Sequence, residues 1–181
     1  STGNKMQFLT TQQILDGLNH LTYGEIEARN INAEQISKID FNQVTDLQKA
    51  GRLIYSLFNS NMKIPSIQLD SVKCVIPYIN PFHMNRLTKD QVRVLSFSEN
   101  GCITNQRFEG MLSPSYQQPE LNAGQAVQYM DSTQLIDAIN RSLFNINTIA
   151  FITDSQLSEL KLELINNRSI KEDLEKRRNK L

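Results

Sequence analysis

Cys74, Cys102, His20 and His83 are the residues from which a nucleophilic centre would have to be assembled. A cysteine nucleophile needs a base within hydrogen-bond reach and usually a third group that orients the base. Cys74 and His83 lie nine residues apart, so they could meet, but neither cysteine sits in a glycine-containing nucleophile turn. Cys74 stands among Val72, Val75 and Ile76, as a buried structural thiol would. A Cys/His hydrolase therefore ranks behind the other readings below. Two histidines and two scattered cysteines lack the spacing of a zinc site. No phosphate loop, dinucleotide fingerprint, HExxH or calcium loop occurs, so neither metal nor cofactor is expected.

The other chemistry on offer is recognition. Residues 63–86 carry Pro65, Pro77 and Pro81, which removes a long helix and predicts an extended crossing inserted into the rest. Tyr78, Ile79 and Phe82 within it are the candidate binding anchors. The same side chains would also serve as a lid over the core.

The elements that must position such a surface are announced by a short phrase: an apolar residue, then Thr, Asn or Asp, two variable residues, Gln and another aliphatic. It occurs at Leu9-Thr10 to Gln13, Ile31-Asn32 to Gln35, Leu87-Thr88 to Gln91, Met130-Asp131 to Gln134 and Ile152-Thr153 to Gln156, with a looser version at Leu121-Asn122 to Gln125. A side-chain oxygen at the N-cap accepts from the backbone N–H three residues on, and a Gln there reaches back to the cap's own N–H. Thr10, Asn32, Thr88, Asp131 and Thr153 are thus read as caps, with Gln13, Gln35, Gln91, Gln134 and Gln156 as their partners. The functional alternative, a binding ladder of glutamines along a solenoid, needs more than the capping role that already accounts for the residue types.

Residues 9–39 and 130–160 also align at an offset of 121, with Asp16 on Asp137, Asn19 on Asn140 and Ser37 on Ser158, so the chain reads as duplicated. Helices are expected over 10–22, from Asn32, and over Val44 to Phe58, the last strongly amphipathic. For 87–112 two readings stay open: helices begun at Thr88 and Thr104, or a hairpin of Val92–Ser98 and Cys102–Phe108 around Asn100-Gly101. Helices are preferred. Residues 113–120 read as a loop. Residues 169–181 read as a charged helix opened by Ser169 with Glu172, with Glu172 to Lys176 and Asp173 to Arg177 as pairs. The fold class is mainly α: an irregular helical bundle or helical repeat over 8–168, with residues 1–7 a polar leader expected to be disordered.

Formal charge is zero, with 19 basic and 19 acidic residues, so the clustered cations of a nucleic-acid binder are missing. No run of 18 apolar residues or export signal of the usual N-terminal kind occurs. Two cysteines are too few for a disulfide scaffold, which predicts a reducing, cytosolic compartment. The absence of an initiator Met before Ser1 predicts a piece of a longer protein.

The Leu-Thr-x-x-Gln phrase, its recurrence about 22 residues apart and the amphipathic helix ending Leu57-Phe58 resemble the short helical repeats of multidomain effectors that intracellular bacteria secrete into host cells. The resemblance implies a protein-interaction module in the host cytosol, with ubiquitin or a small GTPase as the partner class. It also implies a second possibility, nucleotide exchange on a small GTPase. It assigns no residue of this chain a role.

Overall fold

The computed structural model describes residues 2–114 and 123–181, the side chains of residues 2–4 and 61 excepted. The fold is mainly α, with no strand among the described residues. The α-helices are α1 Thr11–His20, α2 Glu25–Ala28, α3 Ala33–Ile36, α4 Leu47–Leu57, α5 Leu69–Val75, α6 Lys89–Arg93, α7 Asn105–Leu112, α8 Ser132–Asn140, α9 Asp154–Glu159 and α10 Arg168–Arg178, joined by short 3-10 turns. One contiguous core runs from Met6 to Leu174.

Local chemistry explains why so many helices start and stop. Thr10, Asn32, Thr88, Asp131 and Thr153 each cap a helix and close the reciprocal box with the glutamine three residues on. Each such cap contributes about 1 kcal/mol to its helix. Helix ends are equally specified. The α1 chain reverses at Leu21 in the left-handed region (φ 54°), and the C-terminal copy repeats the turn at Ser142 (φ 59°), 121 residues on.

The duplication extends well past residues 39 and 160. The 3-10 turn Phe41–Gln43 has its counterpart in Leu162–Leu164, and α4 has its counterpart in α10. Their caps, Asp46 and Asn167, are again 121 apart. Hydrogen bonds repeat with the same offset. Asn19 accepts from the Thr45 N–H at 2.8 Å, and Asn140 from the Asn166 N–H at 2.8 Å. Asn19 donates to the Gln43 carbonyl at 3.4 Å, and Asn140 to that of Leu164 at 3.0 Å.

A third copy lies between these two. Residues 61–112 run through a 3-10 turn, Ile67, α5, a 3-10 turn Pro81–Arg86, Leu87, the capped α6 and then α7. The outer units 2–58 and 125–178 share the sequence of opening turn, first helix, short connecting element, capped short helix and last helix; they add a 3-10 turn before the last helix, and the middle unit adds the turn Ile76–Tyr78. The molecule is an array of three units.

The glutamines hold each unit together. While Oε1 of Gln35, Gln91 and Gln156 serves the cap, Nε2 crosses to the opening turn of the same unit. Gln35 donates to the carbonyls of Met6 and Leu9 at 2.8 and 3.0 Å, Gln91 to Ile64 and Ile67 at 2.9 Å each, and Gln156 to Val127 and Met130 at 2.8 and 2.9 Å. The Met6, Ile64 and Val127 carbonyls also accept the N–H that closes their 3-10 turn, whereas those of Leu9, Ile67 and Met130 lie just past the turn, where a backbone acceptor has no helical partner. One amide therefore satisfies two helix termini at once. Gln134 makes the same bond between units, donating to Val92 and Leu95 at 2.9 and 2.8 Å.

Several expectations are corrected. Residues 63–86 are not an extended insertion: they wind into the 3-10 turn Asn61–Ser66, α5, and the turns Ile76–Tyr78 and Pro81–Arg86. Pro77 and Pro81 stand in the first turn of their helices, where a missing N–H leaves no bond unmade. Of the disordered leader expected over 1–7, residues 2–7 belong to the 3-10 turn Thr2–Phe8, with Met6 in the core at 6 % exposure. The C-terminal helix begins at Asn167, whose side chain accepts from the Ile170 N–H; Ser169 lies inside it. Its ion pairs are Arg168–Glu172 at 2.8 Å and Arg177–Asp154 at 3.6 Å. The Asn100-Gly101 pair makes a tight turn closed by Gly101 N–H to the Ser98 carbonyl, and Thr104 then caps α7. The loop expected over 113–120 lies, beyond Pro114, outside the described residues, as do Leu121 and Asn122 of the looser phrase.

Candidate functional site

The cysteines are not assembled into a reactive pair. Cys74 donates its thiol to the Ser71 carbonyl at 2.9 Å, and burial pushes its pKa up. Burial also raises the Cys102 thiol, against the opposing pull of the nearby Arg107 charge. A nucleophilic cysteine requires the reverse shift. Among the described residues, no hydrogen bond joins either thiol to a histidine, and no three His, Cys, Asp or Glu side chains come together in a way that could hold a metal ion.

The recognition candidates divide. Ile79 is core, 1 % exposed, and offers nothing to a partner. Phe82 is 74 % exposed, and Tyr78 is half-buried beside it in the chain. Asn80 fixes the segment between them. Its Oδ1 accepts from the Phe82 N–H at 3.1 Å, capping the turn Pro81–Arg86, while its Nδ2 donates to the Tyr55 hydroxyl at 3.3 Å. The exposed ring thus stands on backbone that is both capped and proline-stiffened.

Helix α4 builds the other wall. Its apolar positions Ala50, Leu53, Ile54 and Leu57 face the core, which turns Gln48, Arg52 and Tyr55 outward at helical spacing. Gly51 falls on the edge between these faces. A Cβ there would meet Tyr78 ring carbons at 2.7 and 2.9 Å, so the glycine lets the Tyr78 ring lie against α4. Glu25, Gln48, Gly51, Arg52, Tyr55, Pro77 and Tyr78 enclose an open groove of about 420 Å³. Glu25 is tied in by the Ser56 hydroxyl at 3.3 Å.

Sequence reasoning missed Tyr55 and Arg52. The signal was present: an aromatic on the polar face of the strongest amphipathic helix has no core to serve. The groove brings together two phenol rings, a guanidinium and a carboxylate. No protein-family model matches this chain, and no curated protein or solved structure matches it. No described helix is long and apolar enough to cross a membrane.

Proposed function

We propose that this chain is a helical recognition module that engages a regulatory protein of a host cell, of the ubiquitin or small-GTPase class, through the face formed by Tyr55, Arg52, Tyr78 and Phe82. The observation that carries the reading is Phe82, an aromatic ring left 74 % exposed on a segment whose backbone is fixed by the Asn80 cap. A large apolar side chain carried on fixed backbone leaves less of the chain to be ordered on binding. Tyr and Arg, which line the groove at Tyr55, Tyr78 and Arg52, are the residue types that dominate binding energy at interfaces. The choice of partner class, and the setting in the host cytosol, rest on the resemblance of the capped-helix phrases to effector repeats.

The test is a titration of the purified chain against ubiquitin and against a panel of small GTPases in both nucleotide states, read by biolayer interferometry. One member is expected to bind, and the double substitution Tyr55→Ala with Phe82→Ala is expected to weaken it at least about tenfold, the loss of one anchor's worth of energy. Release of a fluorescent GDP analogue in the same samples reads nucleotide exchange. Binding that survives the double substitution in a protein with unchanged melting temperature overturns the assigned face. Absence of binding to every member overturns the partner class.

A further inference from the structure

The two ends of the array are built differently. At the C-terminal end α10 occupies the place of α4 but replaces its apolar positions: Gly51, Ile54 and Leu57 of α4 correspond to Glu172, Glu175 and Arg178. Arg178 also donates to the Leu160 carbonyl at 3.1 Å, the position that corresponds to Leu95, which Gln134 takes from the following unit. A polar outer face of this kind is how the last repeat of an array is closed.

Among the described residues the N-terminal face carries no such device. Gln13 stands where Gln134 stands one duplication later, yet Gln134 is 6 % exposed with its amide on Val92 and Leu95, and Gln13 is exposed. Its Oε1 accepts from the Thr10 N–H at 2.9 Å, and among the described residues its Nε2 meets no acceptor. Leu9 is only half-buried, while its counterparts Ile67 and Met130 are each 3 % exposed. Phe8 beside it is 76 % exposed.

We infer that this face, formed by Phe8, Leu9 and Gln13, is an unfilled unit-to-unit interface, and that its occupant is one further unit of the same repeat, seated through the carbonyl end of an α6-type short helix. The argument is continuity with the interface already present between α6 and α8. A second copy of this chain does not supply such an end. The end of α3 is covered, with Ile36 and Ile39 at 0 % exposure and Gln68 on the Ser37 carbonyl, while that of α6 is taken by Gln134 and that of α9 by Arg178. The partner must therefore bring a helix end of its own.

The experiment joins residues 61–122 directly before Thr2 of the full chain. This places the added Leu95 at the same distance ahead of Gln13 as the native Leu95 lies ahead of Gln134. The four-unit protein is expected to melt in one transition above the parent, and amide exchange at Phe8 and Leu9 is expected to slow. Gln13→Glu keeps the capping oxygen but removes the donor. It is expected to lower the melting temperature of the four-unit protein by at least about 5 °C more than that of the parent, the scale of one buried polar contact in a chain of this size. Three extra residues inserted before Thr2 should abolish the gain by breaking register. The inference is overturned by an added unit that stays unfolded by its own amide exchange or melts separately, by an equal effect of Gln13→Glu in both proteins, or by an out-of-register extension that stabilises equally.

Discussion

Gln91→Glu separates the two jobs of one side chain. Gln91 is 1 % exposed; its Oε1 accepts from the Thr88 N–H at 2.9 Å, and its Nε2 donates to Ile64 and Ile67 at 2.9 Å each. A glutamate keeps the cap, because the box works with either residue. It presents an acceptor to two acceptors. The Ile64 carbonyl retains the turn-closing bond from the Ile67 N–H, so it loses only a second partner. The Ile67 carbonyl, at the end of its turn, is left without the one bond it had from Gln91. An orphaned buried acceptor costs about 1–3 kcal/mol and the lost second bond about 1 more, giving about 2–4 kcal/mol. For a chain of this length that is a fall of roughly 4–16 °C in melting temperature.

The loss should depend on pH with a definite sign. Protonated, the new carboxyl recovers a donor, so the fold favours the neutral acid and raises the folded pKa above its unfolded value of about 4.3. Stability relative to the parent is then best below the unfolded pKa and is lost as pH rises through the folded one. Thermal melts of the parent, Gln91→Glu and Gln13→Glu from pH 3.5 to 8 read both effects. The exposed Gln13 serves as the control, with an expected change within about 0.5 kcal/mol. A Gln91→Glu protein no less stable at neutral pH than Gln13→Glu would refute the double role of the amide.

Gly110→Ala should destabilise by about 1–3 kcal/mol or more, because the added Cβ falls on the Pro81 carbonyl where α7 presses against Pro81–Arg86; a urea melt indistinguishable from the parent would show that this contact yields. Tyr23 donates its hydroxyl to the Ile14 carbonyl, and burial holds its phenol well above the ordinary tyrosine range. The neutral form is the folded one, so this contribution persists below pH 10 and is lost as pH climbs past it; Tyr23→Phe should be less stable at neutral pH and show a flatter alkaline limb. Both thiols, raised by burial, should react with a maleimide probe at pH 7.5 more slowly than a free cysteine peptide, and a faster reaction at Cys74 or Cys102 would reopen covalent chemistry.

Much of the local structure was legible, because the capping box is written in residue types three positions apart. The offset of 121 was visible for the same reason, as Asn19 and Asn140 have to be asparagines to bridge two backbone groups each. The middle unit was hidden by its prolines. Pro77 and Pro81 read as helix breakers but occupy first-turn positions, and without the fold nothing tells a breaker from a starter. Nor did the sequence say where each Nε2 goes, since its acceptors lie 24 to 29 residues away for Gln91 and Gln35 and 42 away for Gln134 and Val92. Of the proposed recognition face, Phe82 was readable from its type, whereas Tyr55 is joined to that segment only through the Asn80 side chain.

The fate of the glutamines decides between two ways a repeat protein could present a surface. A ladder binding along the array would need these amides in solvent. Instead Gln35, Gln91 and Gln134 are buried at 8 %, 1 % and 6 % exposure and Gln156 is half-buried, each with its amide on backbone carbonyls, and only Gln13 of the five cap partners is exposed. The proposed recognition must then rest on what differs between units. The comparison of α4 with α10 locates that difference: the outward residues Gln48, Arg52 and Tyr55 correspond to Ser169, Asp173 and Lys176. The aromatic and the guanidinium are not repeated, and the groove closes only where the Tyr78 ring from the second unit lies over Gly51 of the first. A surface made once, at a junction between units, has the specificity of its two neighbours. The repeat chemistry beneath it supplies only rigidity.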